Sequence, residues 1–173
     1  MSDAKTDVGR STTLWWARLR KLCALERPGG GGKSHRAERR AAEIDWLRRR
    51  GVRLLVSTMR TRHNLPEYEA AGLEWHHVPV ASCAEDAKAL DELLPLLRAE
   101  LRTRGAVAVH GDQRTNFVAA LCAAHLHEVR GIDPAVGLCA AARAGLEADR
   151  DSAALLGVPY QDVAGFAAVG DRA

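Results

Sequence analysis

The sequence predicts an α/β fold, with a mainly parallel central sheet flanked by helices, and three observations predict it. Apolar runs of strand length alternate with segments of helical periodicity along the chain. The runs at residues 52–58 and 107–110 are almost continuously apolar, the pattern of strands covered on both faces. The chain has 173 residues, 47% of them hydrophobic, enough for one domain with a substantial core, and no composition shift marks a second.

Taken in order, residues 1–13 are expected to be a flexible N-terminus and 14–173 the domain. The segment that opens it places Leu14, Trp15, Trp16, Leu19, Leu22 and Cys23 among Arg18, Arg20 and Lys21. It reads either as a basic amphipathic helix lying on a membrane or as a first strand with Trp16 and Leu22 against the domain. The run of four glycines at 29–32 is expected to be a flexible linker to the first helix. That helix spans 36–50, with Ala37, Ala41, Ile44 and Leu47 on one face and Gly51 as its stop. Strands follow at 52–58 and 73–80. Ser82 lies three residues before Glu85, the spacing of a capping box, so it is expected to cap the next helix. Leu90, Leu94, Leu97 and Leu101 repeat at helical spacing, while Pro95 predicts a kink or break, at a cost of about 3 kcal/mol. After the strand at 107–110 comes a helix at 115–129. Another follows at 133–143, with Asp133 as N-cap and Pro134 in its first turn. The Ala-rich stretch from Asp151 is expected to be helical, with a break at Gly157-Val158-Pro159.

The net charge of +3 is unevenly placed: residues 1–50 carry 13 Lys and Arg against 6 Asp and Glu, and residues 51–173 carry 12 against 16. Such polarity draws in acidic partners or anionic surfaces, or else is simply a solvated face with a basic tail. No motif beyond basicity supports nucleic-acid binding. Cys23, Cys83, Cys122 and Cys139 lack metal or disulfide-framework spacing, and there is no N-terminal signal or transmembrane run, so a reduced, cytoplasmic setting is expected. His76 and His77 alternate across a strand and His125 and His127 diverge on a helix, so neither pair chelates. No metal and no cofactor is expected, and the sequence carries no signal of oligomeric state.

The chemistry lies in Val107-Ala108-Val109-His110-Gly111-Asp112-Gln113-Arg114-Thr115-Asn116. An apolar run ends in His110, a polar turn follows, and Arg114-Thr115 opens a helix. This resembles the H-C-x-x-G-x-x-R-[ST] signature of the cysteine-dependent protein tyrosine and dual-specificity phosphatases, with His110, Gly111, Arg114 and Thr115 in matching places. Residues 16–24 are similar to the opening W-x-x-x-x-[RK]-L-x-[AG] of the small atypical members, and "LRRRGVRLLVS" and "YEAAGLEWHHVPV" look like the pieces that lead to their general-acid loop. The resemblance covers most of the chain and implies a single-domain phosphatase-like fold.

What it implies chemically is a degenerate member, a pseudophosphatase. No Cys lies between His110 and Arg114, and Gly111, Asp112 and Gln113 replace the family's six-residue phosphate loop. Three residues connect a strand to a helix normally but do not encircle a phosphate. The former general-acid position is Ser82, three residues past Pro79, and Asp86 is the nearest carboxylate that could stand in. Without a thiolate, His110 is expected to be a buried, bonded side chain. If an anion binds, the expected seat is the helix N-terminus, formed by Arg114 with Gln113, Thr115 and Asn116. Otherwise Arg114 pairs with Asp112 or another local carboxylate. The expected function is a binding or regulatory module for a phosphorylated protein or a small phosphoester. The alternative is an active phosphatase with rearranged residues, Cys83 among the candidates.

Overall fold

The computed structural model describes residues 13–31, 33, 35–103, 105–112 and 114–167. Five strands form one sheet: β1 (Leu14–Arg18), β2 (Leu22–Glu26), β3 (Val52–Ser57), β4 (Glu74–His77) and β5 (Ala106–Gly111), in the order β1-β2-β5-β3-β4. β1 and β2 are antiparallel, and β2, β5, β3 and β4 run parallel. The apolar run that ends in His110 is therefore the central strand, paired on both edges.

Side chains alternate across these strands and build two cores. Val107 and Val109 of β5, Leu22 and Ala24 of β2, and Leu54 and Val56 of β3 face the larger core. It is covered by α3 (Cys83–Glu100), α4 (Thr115–Arg130), α5 (Pro134–Arg143), α6 (Arg150–Leu155) and α7 (Tyr160–Ala167). Ala106 and Ala108, Cys23 and Leu25, and Val52 and Leu55 face the smaller core, under α1 (Ala37–Arg49) and α2 (Leu65–Ala70). α4 is the hub of the larger layer, buried without interruption from Thr115 to Leu126. Its alanines allow close approach: a Cβ added at Gly137 of α5 would lie 2.8 Å from that of Ala123.

Several expectations are corrected. The segment at 14–26 is a two-stranded hairpin, neither an amphipathic helix nor a single strand. The glycine run, as far as it is described, is no loose linker: Gly29 and Gly30 are buried, and Gly29 N–H donates to Glu43 at 2.7 Å. α1 buries Glu43 and Trp46 beside Ile44 and Leu47, while Ala37 and Ala41 are exposed. α3 passes through Pro95 unbroken. Ser82 sits at the N-cap of α3 but makes no side-chain cap bond; the Glu85 carboxylate instead accepts from the Ala81 N–H at 2.8 Å. The short helix α2 has no counterpart in the sequence reading. Asp133 does cap α5, accepting from Ala135 N–H, and the last helices do break at 156–159. Residues 1–12, Gly32 and Gln113 lie outside the described residues, and with them most of the expected flexible N-terminus and one of the expected anion contacts.

Candidate functional site

The parallel strands β5 and β3 end at the same rim, where ligand crevices of open α/β sheets form. A cleft of about 590 Å³ lies there, lined by Thr58, Met59 and Arg60 after β3, Val80 and Ala81 before α3, and Gly111, Asp112 and Arg114 after β5. Gly111 sits at a close approach, where a Cβ would lie 3.0 Å from the Arg114 carbonyl oxygen and 3.3 Å from Thr58 Oγ1. The Thr58 hydroxyl and N–H both donate to the His110 carbonyl, at 3.1 and 2.9 Å, which ties the two strand ends together.

Arg114 stands just before α4, and its guanidinium fork is met by a carboxylate. Nη1 and Nη2 each donate at 2.7 Å to the two oxygens of Asp86, in the first turn of α3. The Asp86 side chain is 5% exposed and that of Arg114 25%. Planar bidentate pairs of this kind are the geometry by which arginine also grips phosphate. Asp86, four residues after Ser82, thus occupies both arms of the Arg114 fork. Asp112 reaches Arg27 at 3.4 Å.

Thr115 and Asn116 turn elsewhere. Thr115 Oγ1 accepts from Glu147 N–H at 3.1 Å, and Asn116 Nδ2 donates to Asp149 at 2.9 Å, so both side chains tie α4 to the segment between α5 and α6. Asn116 Oδ1 also accepts from Phe117 N–H, one of the amides at the helix start. Ser82 is exposed on the rim of α3. Cys83 opens α3, with its side chain outside the described residues. The other three cysteines are buried, and burial pushes the thiol of Cys122 up to about 12 and those of Cys23 and Cys139 upward as well. Buried thiols of this kind are poor nucleophiles.

His110 follows Ala106 and Ala108 on one face of β5, so it points into the smaller core, where α2 meets it. The Asn64 side-chain N–H groups reach Pro28 O at 2.9 Å and Tyr68 Oη at 3.3 Å, and Asn64 Oδ1 accepts from Arg40 at 3.2 Å. The Tyr68 hydroxyl accepts from Asn64 and shares a hydrogen bond with His110 Nε2 at 2.9 Å. Burial lowers the pKa of His110 to about 4, with the Gly111 backbone opposing and Arg27 adding to the fall. His110 is therefore neutral at physiological pH and cannot itself hold an anion by charge. Asn64, Tyr68, Arg27 and Glu43 were not singled out from sequence. Asn64 has one local signal: Asn tolerates the left-handed backbone, here at φ 73°, and it precedes a Leu-Pro helix start. Among the described residues, no cluster of His, Cys, Asp and Glu could hold a metal ion.

No protein-family model matches the sequence, and no curated protein matches it significantly. Solved structures do. Human DUSP28 is 25% identical, with 79% of this chain and 85% of that chain covered and a TM-score of 0.59. TpbA of P. aeruginosa, in complex with pTyr, is 21% identical over 88% of this chain and 87% of its own, with a TM-score of 0.63. A mouse putative dual specificity phosphatase complexed with zinc tungstate is 20% identical over 100% of this chain and 98% of its own, with a TM-score of 0.62. Agreement with three such structures over nearly the whole sheet and its helices makes this the fold of the protein tyrosine and dual-specificity phosphatases.

Proposed function

We propose that the chain is a catalytically impaired phosphatase-like protein that binds, rather than hydrolyses, a phosphorylated protein or small phosphoester at the cleft beside Arg114. The observation that carries this reading is the Arg114–Asp86 pair behind a three-residue loop without cysteine. An arginine fork with a fixed planar partner is a seat for an oxyanion, and the chain itself supplies an occupant. Asp86 has to yield before a phosphate enters, which makes binding weak, about millimolar or roughly 4 kcal/mol. Turnover lacks both partners it needs: a nucleophile in the loop, and an acid at Ser82, whose hydroxyl does not protonate a leaving oxygen near neutral pH. Arg60, on the opposite lip of the cleft, is the second cation within its lining.

The test has two arms. Aryl phosphate hydrolysis is measured for the wild-type chain and Arg114→Ala, with and without an alkylating reagent. Equal background rates are expected, and turnover that depends on Arg114 or is lost on alkylation overturns the reading in favour of an active phosphatase. Sulfate or a phosphopeptide is then titrated against backbone amide shifts. Asp86→Asn should tighten binding and Arg114→Ala should abolish it. Shifts indifferent to both substitutions leave Arg114 a structural residue.

A further inference from the structure

The β1–β2 turn lies at the end of the molecule opposite the cleft, because β2 runs parallel to β5 and pairs Leu22, at its start, with Val107. Leu19, next to the end of β1, is 78% exposed, more than any other large hydrophobic residue described as exposed. Arg18, Arg20 and Lys21 flank it. Lys21 N–H donates to Arg18 O at 2.9 Å to close the turn, and Arg20 takes φ 57°, where glycine or asparagine is the ordinary choice. The turn thus holds a cation at a position whose left-handed backbone ordinarily favours glycine or a short polar residue.

Beside Leu19 a hollow of about 540 Å³ runs from the hairpin to the end of α4 and beyond, with Arg18, Lys21 and Arg130 among its lining and no carboxylate. None of Arg18, Arg20, Lys21 and Arg130 forms an ion pair among the described residues. Arg18 instead approaches the buried His125 ring at 3.4 Å, and that ring is held neutral, since burial, with Arg18 beside it, lowers its pKa to about 4. Glu128, two residues before Arg130, is taken by Arg98 at 3.6 Å. Four cations without carboxylate partners therefore surround one protruding aliphatic side chain.

We propose that this hairpin tip docks the protein on an anionic lipid surface, with Leu19 entering the boundary between headgroups and acyl chains and Arg18, Arg20, Lys21 and Arg130 facing the headgroups. Cations alone suit any polyanion, but an exposed leucine at their centre gains from a partner with an apolar layer behind its charge, which a lipid surface offers and a nucleic-acid backbone does not. Docking by this end leaves the cleft at the carboxyl ends of the strands turned toward solvent, so a ligand reaches it while the protein is bound. The proposal is independent of what the cleft binds.

The experiment is co-sedimentation of the full chain with phosphatidylcholine vesicles, with and without phosphatidylserine, over a range of salt. Binding is expected only with phosphatidylserine and should weaken as salt rises. Leu19→Asp, and separately Arg20→Glu with Lys21→Glu, should each lower partitioning roughly tenfold or more. Both variants should keep the wild-type thermal midpoint, because Leu19 and Arg20 are exposed and the half-buried Lys21 forms no ion pair among the described residues. No binding to phosphatidylserine vesicles, equal binding to phosphatidylcholine alone, or unchanged binding in both variants overturns the proposal. So does displacement from vesicles by a short DNA duplex that leaves Leu19→Asp and wild type bound to that duplex equally well, which assigns the cations to nucleic acid.

Discussion

At the scale of single residues, His110 serves the architecture of the smaller core. In the resembling phosphatases its place precedes the nucleophile; here its ring is sealed under α2 and joined to Tyr68 and Asn64. A neutral buried histidine makes stability depend on pH, and the sign follows from its proton affinity. Its ordinary value is 6.5 and its folded value about 4. Its contribution is therefore complete above about 6.5 and is lost as pH falls from there toward 4, because the unfolded chain takes up the proton first. The loss at pH 5 is about 2 kcal/mol from this group, and His125 adds another in the same direction. In urea denaturation at pH 7 and pH 5, His110→Asn should lower stability at pH 7 but shrink the difference between the two pH values by about 2 kcal/mol. An undiminished pH difference removes His110 as its source. His110, Gly111 and Arg114 were legible in the sequence because they form one contiguous motif. Their partners were not, since Tyr68 lies 42 residues from His110 and Asp86 lies 28 from Arg114, and only the strand order brings them together.

At the scale of elements, legibility followed burial. β3 and β5 are covered on both faces, so their apolar runs were unambiguous, whereas in α3 only Leu97 and Leu101 of the expected stripe are buried, Leu90 and Leu94 are half-buried, and Ala89 and Leu93 complete the buried face. The hairpin was hidden because its turn, Leu19-Arg20-Lys21, contains no glycine, proline or asparagine, and Arg20 adopts the left-handed conformation despite that. α2 was hidden because six residues hold less than two turns of periodicity. Pro95 misled in the other direction. It predicts a break, yet it falls on the exposed side of α3, as does Asp91, whose carbonyl loses the N–H that Pro95 does not have. The missing bond and the ring's clash still cost energy, which the burial of Leu93, Leu97 and Leu101 outweighs. Pro95→Ala should therefore stabilise the protein by about 1–3 kcal/mol without changing its fold, as read from the urea midpoint. A midpoint that stays put or falls shows that α3 is not strained at that position.

At the scale of the whole molecule, the two cores share one sheet, and its middle strand comes from late in the sequence. β5 is held between β2 and β3, both from the first third of the chain, so neither half of the chain has a complete sheet without the other. Such interleaving predicts one cooperative unit in which the two faces open together. Buried thiols report this directly. Cys23 belongs to the core under α1 and α2, Cys122 and Cys139 to the core under α4, and burial raises the pKa of all three, so a reagent reaches them in quantity only through opening. In a Cys83→Ser background, Cys23 and Cys122 should be alkylated at closely similar rates. Both rates should rise with urea along the slope that describes equilibrium unfolding, since each would wait on the same global event. Cys23 reacting much faster than Cys122, with little dependence on urea, would instead mean that the hairpin side of the sheet opens by itself. The chain would then be two cooperative units joined at β5 rather than one.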